Sequence, residues 1–372
     1  MMVLLAGGGT GGHVYPALAI ANELRHRHPD WDIQFAGRHD SIEGKAVPKE
    51  GYTLNELYVS GFERYYSALK KAKVALRAVK SMFDANRIIS RLKPNIVIGT
   101  GGYISGPMVL AAHLRRLPTL ICEQNVIPGF TIKTLSRYAD TVCLPFADAK
   151  AYMAKPERCV LTGNPVRREF GLFDRSIARK SLKVEDNEKL IVSFGGSLGA
   201  ASINGAVIGS LDYFADKPVK LIHITGNSSY EEAIASLPAE LPGNVQITAY
   251  SDEMPMLLNA ADLVISRAGA MSVSEINYVG VAAIYIPYPI AVNDHQTKNA
   301  QYCEASNAAL IIKDSELTPE SLQDAIGGFI QSPGALMAMA QNSRRIGITD
   351  SAERISIEAE KLIDSKWAKP VN

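Results

Sequence analysis

Short apolar runs alternate with helical patterns along almost the whole chain. Val3–Ala6, Ile33–Ala36, Ile96–Ile98, Thr119–Cys122, Thr141–Leu144 and Val160–Leu161 form a first series. Leu190–Phe194, Lys220–Thr225, Val245–Ala249, Leu263–Ser266, Ala282–Ile286 and Ala309–Ile312 form a second. Most runs are apolar at every position rather than every other one, the pattern of parallel strands covered by helices on both faces. Strand, loop and helix repeated in this order predict a doubly wound α/β architecture. Both series open alike. VLLAGGGTGG from Val3 and IVSFGGSLGAASINGAV from Ile191 each run from a strand through glycines into a helix.

Each half therefore predicts its own Rossmann-like domain. The turn-rich LTGNPVRREFG, Leu161–Gly171, marks the joint. The expected division is 1–164 and 165–349, with the carboxyl ends of both sheets able to face one cleft. DSAERISIEAEKLI predicts a last helix over about 350–372, with Ala352, Ile355, Ala359 and Leu362 on one face. The 372-residue length agrees with two domains, and a 47% hydrophobic content supplies a large core. A net charge of +1 removes any global case for nucleic acid as a partner, so charge arguments must be local. The cysteines Cys122, Cys143, Cys159 and Cys303 are far apart and form no C-x-x-C pair. That pattern suggests neither zinc nor a redox motif and predicts unpaired thiols in a reducing compartment. MMVLLA lacks the basic start of a signal peptide. No stretch reaches the ~20 apolar residues of a spanning helix. The expectation is a soluble chain, or one lying on a membrane.

The candidate chemistry lies in the loops after strands. Gly7, Gly9 and Gly12 spell G-x-G-x-x-G, but a dinucleotide site also needs an acid at the end of the second strand. That strand ends in Ala36-Gly37-Arg38. No Lys-Ser or Lys-Thr follows the glycines, which excludes a P-loop. What remains is a backbone able to approach a ligand closely, and a helix start that favours anions. His13 falls in the first turn of that helix, where the dipole disfavours its charged form and suits it to act as a base. A tight structural turn is the competing reading. GTGGYISGP (Gly99–Pro107) and EQN (Glu123–Asn125) follow later strands and place amides and hydroxyls on the same rim. In the second half, GGSLGA puts Ser197 at a helix start suited to phosphate. SRAGAMSVSEI offers Glu275 for the two hydroxyls of a ribose, or as a simple helix-start acid. NDHQTKNA clusters Asp294, His295, Gln296 and Asn299, whose amides suit sugar hydroxyls. These residues lack regular metal-ligand spacing.

Together these motifs carry a resemblance. GGGTGGHVYPALAIA, GTGGYISGP, EQN, GNPVR, GGSLGA, RAGAMSVSEI and NDHQTKNA stand in the order and approximate spacing of the MurG family, bacterial peptidoglycan glycosyltransferases. The resemblance covers nearly the whole chain. It implies the GT-B arrangement, two Rossmann-like domains facing a cleft, with the C-terminal helix packing back on the first. It implies UDP-N-acetylglucosamine as donor, bound mainly by the second domain, and lipid I, undecaprenyl-pyrophosphoryl-N-acetylmuramoyl-pentapeptide, as acceptor, bound mainly by the first. Carried over residue by residue, Thr10, Gly11, Gly12 and Asn125 match donor contacts. Arg167 and Ser197 match contacts to the diphosphate. Ala270, Met271, Ser272, Val273, Ser274 and Glu275 match the nucleotide turn. Gln296 and Asn299 match sugar contacts, and Ser251 a position near the uracil. His13 is then the expected catalytic base. The resemblance implies no cofactor and no metal.

A lipid acceptor implies work at the cytoplasmic face of the membrane, with proteins of cell-wall or division complexes as further partners. Lys70, Lys71, Lys73, Arg77, Lys80, Arg87, Arg91 and Lys93 surround Val74, Leu76, Val79, Met82 and Phe83, opposed by Asp84 alone. This segment predicts a basic amphipathic helix for anionic lipid, against the alternative of a solvated face over ordinary core. The competing functions are a related GT-B transferase on another lipid, a sugar-nucleotide 2-epimerase of the same broad fold, and a non-catalytic nucleotide-sugar sensor.

Overall fold

The computed structural model describes residues 1–59, 68–196 and 199–367. The chain divides into two compact units, Met1–Arg167 with Thr349–Asn372, and Arg168–Ile348. In the first unit seven strands form one sheet: β1 (Met2–Gly7), β2 (Asp32–Gly37), β3 (Thr53–Glu56), β4 (Ile96–Gly101), β5 (Thr119–Cys122), β6 (Thr141–Leu144) and β7 (Cys159–Leu161). Their spatial order is β3-β2-β1-β4-β5-β6-β7, and every pairing is parallel. In the second unit β8 (Lys189–Phe194), β9 (Val219–Ile224), β10 (Val245–Thr248), β11 (Leu263–Ser266), β12 (Ala282–Tyr285) and β13 (Ala309–Ile311) pair in the order β10-β9-β8-β11-β12-β13, again all parallel.

Both sheets reverse direction of growth at one place, between β1 and β4 in the first unit and between β8 and β11 in the second. Ligands of open α/β sheets bind outside the carboxyl ends of the strands at such a switch point. Both glycine loops leave the strands that flank these points. β3 is the one strand that the apolar pattern does not predict. Its sequence is TLNE at the sheet edge, too short and too polar to register as an apolar run.

Apolar side chains fill both faces of the first sheet. Val3, Leu5, Ile96 and Ile98 pack with Ala17, Leu18, Ile20, Ala21 and Leu24 of the helix Gly11–Arg27. The last helix, Ser351–Trp367, joins this same cluster through Ile355, Ala359 and Ile363, with Leu362 at its margin. Arg27 holds it in place through a fork to Glu360, at 2.7 and 3.0 Å, which lowers that carboxyl. On the opposite face, Leu4 and Val97 pack with Ile88, Ile89, Met108, Val109 and Ile132.

Among the buried titratable groups of the second unit, His223 is the one whose shift falls in the neutral-to-acid range. His223 on β9 has no exposed surface, and burial pushes its imidazole down to about 4. Neither ring nitrogen has a hydrogen-bond partner among the described residues to hold a proton there. The unfolded chain takes up a proton near pH 6.5 while the folded chain does not. The stabilising contribution is therefore full above pH 6.5 and is lost as pH falls toward 4, by up to about 3 kcal/mol. Urea midpoints measured from pH 7 to pH 4 should fall more steeply for the native chain than for His223→Leu. Parallel curves would contradict this.

Candidate functional site

The loop after β1 enters the helix Gly11–Arg27 at Thr10, whose carbonyl accepts from the amides of His13 (3.1 Å) and Val14 (3.2 Å). Thr10 and Gly12 are exposed, and Gly11 and His13 half-buried. No acidic side chain occupies the first turn of this helix to offset its dipole. Beneath the loop lies Glu43, buried, its Oε2 accepting from the Gly9 amide (3.1 Å) and its Oε1 from the Arg38 amide (3.2 Å). A carboxylate thus stands near the end of β2 after all, but it serves backbone amides.

His13 is the third residue of its helix and the point where three loops meet. Its Nδ1 lies 3.1 Å from the Thr100 carbonyl and 3.1 Å from Gln124 Oε1. Thr100 Oγ1 in turn donates to the His13 carbonyl at 2.8 Å. Thr100 belongs to GTGGYISGP at the end of β4, and Gln124 to EQN just after β5. The sequence suggests these loops as a ligand-facing surface, yet much of both turns inward. Glu123 and Gln124 are only 3% and 2% exposed. Glu123 Oε1 accepts from the amides of Gln124 and Asn125 and from Asn125 Nδ2, and its Oε2 accepts from the Gly129 amide. Burial pushes this carboxyl up, and the hydrogen bonds oppose the shift. Asn125 remains half-buried at the surface of the turn. Arg167, also half-buried, places its guanidinium 5.6 Å from the centre of the Tyr15 ring, two residues along from His13.

In the second unit the glycine loop leaves β8 at Gly195 and Gly196, and the expected phosphate residue Ser197 lies outside the described residues. The other flank of the switch point is the helix Ala270–Val279, entered at Gly269. Ala270, Met271, Ser272, Ser274 and Glu275 are half-buried and Val273 is buried. Ser274 Oγ donates back to the Ala270 carbonyl at 2.8 Å. Glu275 is the sixth helical residue, with no acid in the first turn. The reading of Glu275 as a helix-start acid therefore fails, because dipole compensation fades beyond that turn. Gln296, half-buried on the helix His295–Ala305, accepts from the Tyr288 amide at 3.0 Å. Asn299 has no exposed surface, and its Nδ2 donates to the Ala268 carbonyl at 3.2 Å. It lies below the surface and holds the loop that leads into the helix Ala270–Val279, not a position open to a sugar. Ser251 Oγ accepts from the Glu253 amide at 3.1 Å and shapes the entrance to the helix Met254–Ala260.

Arg267 is a residue that motif reading passes over. It is 9% exposed and ties four segments together. Its Nη1 donates to the Ile286 and Pro287 carbonyls (3.1 and 3.2 Å) and to Asp314 Oδ1 (2.5 Å), and its Nη2 donates to Ser202 Oγ (2.9 Å). The available signal was a charge directly after a wholly buried strand, Leu263–Ser266, whereas Asp314 sits 47 residues on with no motif around it.

Two parallel sheets, each with a glycine loop and a second polar motif flanking its switch point, are the paired Rossmann-like sheets of the GT-B fold, and the family matches make the chain a glycosyltransferase. Residues 3–144 match the glycosyltransferase family 28 N-terminal domain, and residues 190–355 the family 28 C-terminal domain. A relative from Desulforudis audaxviator (strain MP104C) is 40% identical over 97% of this chain and 98% of its own length. It is a UDP-N-acetylglucosamine--N-acetylmuramyl-(pentapeptide) pyrophosphoryl-undecaprenol N-acetylglucosamine transferase. The crystal structure of Acinetobacter baumannii MurG aligns with a TM-score of 0.76 at 31% identity, covering 97% of this chain and 99% of that one. A UDP-GlcNAc 2-epimerase from Neisseria meningitidis aligns at 0.66 over 97% of this chain and 100% of that one, but at 14% identity it shares the fold alone. The chain belongs to glycosyltransferase family 28 and, within it, to the MurG family.

Proposed function

We propose that the chain transfers N-acetylglucosamine from UDP-N-acetylglucosamine to the C4 hydroxyl of the N-acetylmuramoyl unit of lipid I, with inversion, forming lipid II. The observation that carries the chemistry is His13, held at the switch point of the first sheet by two hydrogen-bonding neighbours. In this reading His13 accepts the hydroxyl proton as the oxygen attacks the anomeric carbon, and UDP departs from the opposite face. Thr10, Gly11, Gly12 and Asn125 bring backbone and amide groups to the reacting sugars. Arg167, Ser197 and helix N-termini stabilise the diphosphate. The segment Ala270–Glu275 receives the nucleotide, with Glu275 on the ribose hydroxyls, Ser251 near the uracil and Gln296 on the sugar side, while the buried Asn299 supports the segment from beneath through the Ala268 carbonyl. Incubation with labelled UDP-N-acetylglucosamine and a lipid I analogue tests the assignment. Label is expected in the lipid. Label released as free sugar, or retained in a 2-epimerised nucleotide, contradicts it.

The same reading places the chain peripherally on the cytoplasmic face of the membrane. No helix among the described residues is long and apolar enough to cross a bilayer. The predicted basic helix spans Ala68–Leu92, and of its apolar residues Val79 (55%) and Phe83 (73%) are exposed one turn apart. Tyr58 (62% exposed) stands beside them, with Lys80 Nζ 5.3 Å from its ring centre. Met82 instead packs against the core. Lys70, Lys71, Lys73, Val74, Leu76 and Arg77 have side chains outside the described set. Vesicles with anionic lipid should sediment the chain in a salt-sensitive manner. Val79→Ser with Phe83→Ser should weaken that binding roughly tenfold or more, through lost apolar burial. Equal binding by the double variant would contradict this surface. Proteins of cell-wall or division complexes complete the proposed partners.

A further inference from the structure

We infer that Gln124 is a positioning residue that, together with the Thr100 carbonyl, holds His13 as its Nδ1–H tautomer and so puts the basic electron pair on Nε2. The argument begins at the amide of Gln124. Its Nε2 lies 3.0 Å from the Cys122 carbonyl, which can only accept. That contact fixes which end of the amide is NH2 and turns Oε1 toward His13, at 3.1 Å from Nδ1. The second neighbour of Nδ1 is another carbonyl, that of Thr100, also at 3.1 Å. Two acceptors face one ring nitrogen, so that nitrogen carries the proton.

The seat is rigid on both sides. Gln124 is 2% exposed, and the carbonyl it grips ends β5. Thr100 lies within β4 and also bonds the His13 main chain through its hydroxyl. Next to the ring, Gly101 comes so close that a Cβ there would stand 2.5 Å from Nδ1.

The chemistry of the partner matters as much as its position. A carboxylate against Nδ1 would favour the imidazolium. An amide oxygen accepts the same hydrogen bond without a full charge. The titratable groups in the turns around the ring include Glu43, Glu123, Tyr103, Tyr15 and Arg167. The two carboxylates are engaged elsewhere, Glu43 with the amides of Gly9 and Arg38, Glu123 with those of Gln124, Asn125 and Gly129. Tyr103 lies against Gly9, and Tyr15 lies under the Arg167 guanidinium. Gln124 is thus the side chain that contacts Nδ1 and sets the ring's state.

This inference deepens the proposed role of His13 as base and rests on it for its kinetic consequence, though not for its spectroscopic one. Nitrogen-15 imidazole NMR on the full chain, with His13 assigned by comparison with His13→Gln, reads the tautomer directly. The native chain is expected to show a protonated Nδ1 and a bare Nε2. Gln124→Met should raise the Nε2–H population and lower kcat roughly 10- to 100-fold, with KM for UDP-N-acetylglucosamine unchanged. Gln124→Glu, which keeps the shape, should move the acidic limb of the kcat profile to higher pH by about one unit. An Nε2–H tautomer in the native chain overturns the inference. So does Gln124→Met or Gln124→Glu with native spectra and a native pH profile. If His13→Ala keeps normal turnover, the base assignment falls, while the spectra still decide the tautomer.

Discussion

His13→Ala is expected to lower kcat by roughly 10²- to 10⁴-fold, the range typical of a lost general base, with the Kd for UDP-N-acetylglucosamine changed by no more than about twofold. The asymmetry follows from where the residue sits. His13 belongs to the first unit, on the helix after β1, and its ring is oriented by Thr100 and Gln124 of the same unit. The residues proposed to take the nucleotide, Ala270 to Glu275, stand on a helix of the second unit. Glu275→Ala should show the converse, a raised KM for donor and a smaller change in kcat. Equilibrium titration with UDP and steady-state kinetics on both variants separate the two roles. A His13→Ala enzyme with native turnover would show that another group takes the proton.

Gly101→Ala is expected to cost nearly as much activity without removing any functional group. Gly101 adopts φ 106° and ψ −172°, a region open essentially to glycine alone. A Cβ there would also stand 2.5 Å from His13 Nδ1 and 2.8 Å from its Cε1. The ring must then leave the Thr100 carbonyl and Gln124, or the end of β4 must move. Backbone strain of this kind is worth about 1–3 kcal/mol in stability. Turnover should fall to within about tenfold of His13→Ala, because the base is lost from its place in both. Gly106→Ala is the control within the same motif. Its Cβ would meet Thr131 Cγ2 at 4.0 Å and nothing nearer, and it lies inside the helix Gly102–Leu114. That variant should fold and turn over normally. Native activity in Gly101→Ala would show that the close packing against the imidazole is not needed.

The strands were legible because parallel strands buried on both faces leave uninterrupted apolar runs. β1, β4, β8 and β11 are close to this kind, interrupted only by small buried polar residues such as Thr100, Ser193 and Ser266 and by Lys189 at the start of β8, and their burial is complete or nearly so. β3 was not, because an edge strand reading TLNE has no apolar run to detect. The loops that bear chemistry were legible as motifs, but not which of their atoms face inward. EQN reads as three polar side chains offered to a ligand. In the fold Glu123 is consumed by four hydrogen bonds within its own turn, and Gln124 turns to His13. Asn299 reads as a sugar contact, and its burial is set by Ala268, a partner 31 residues away. Glu43 and Arg267 act as braces for the same reason. Long-range hydrogen bonds to backbone leave no local pattern, since any loop carbonyl or amide can be the partner.

The C-terminal helix shows the other side of this. Its apolar face was visible in the spacing of Ile355 and Ala359. The surface that receives it, the helix Gly11–Arg27, is marked in sequence only by the motif that carries His13. Arg27 and Glu360, which lock the two helices together, are ordinary surface charges when read along the chain.

The central claim is a direct inverting transfer onto a hydroxyl deprotonated by His13. Proton NMR of the product from UDP-N-acetylglucosamine and a lipid I analogue, formed with a chelator present, tests it most directly. The account predicts one new linkage, β and to C4 of the muramoyl unit, shown by a large anomeric coupling. An α linkage, a different acceptor oxygen or a product that forms only with added metal would contradict it.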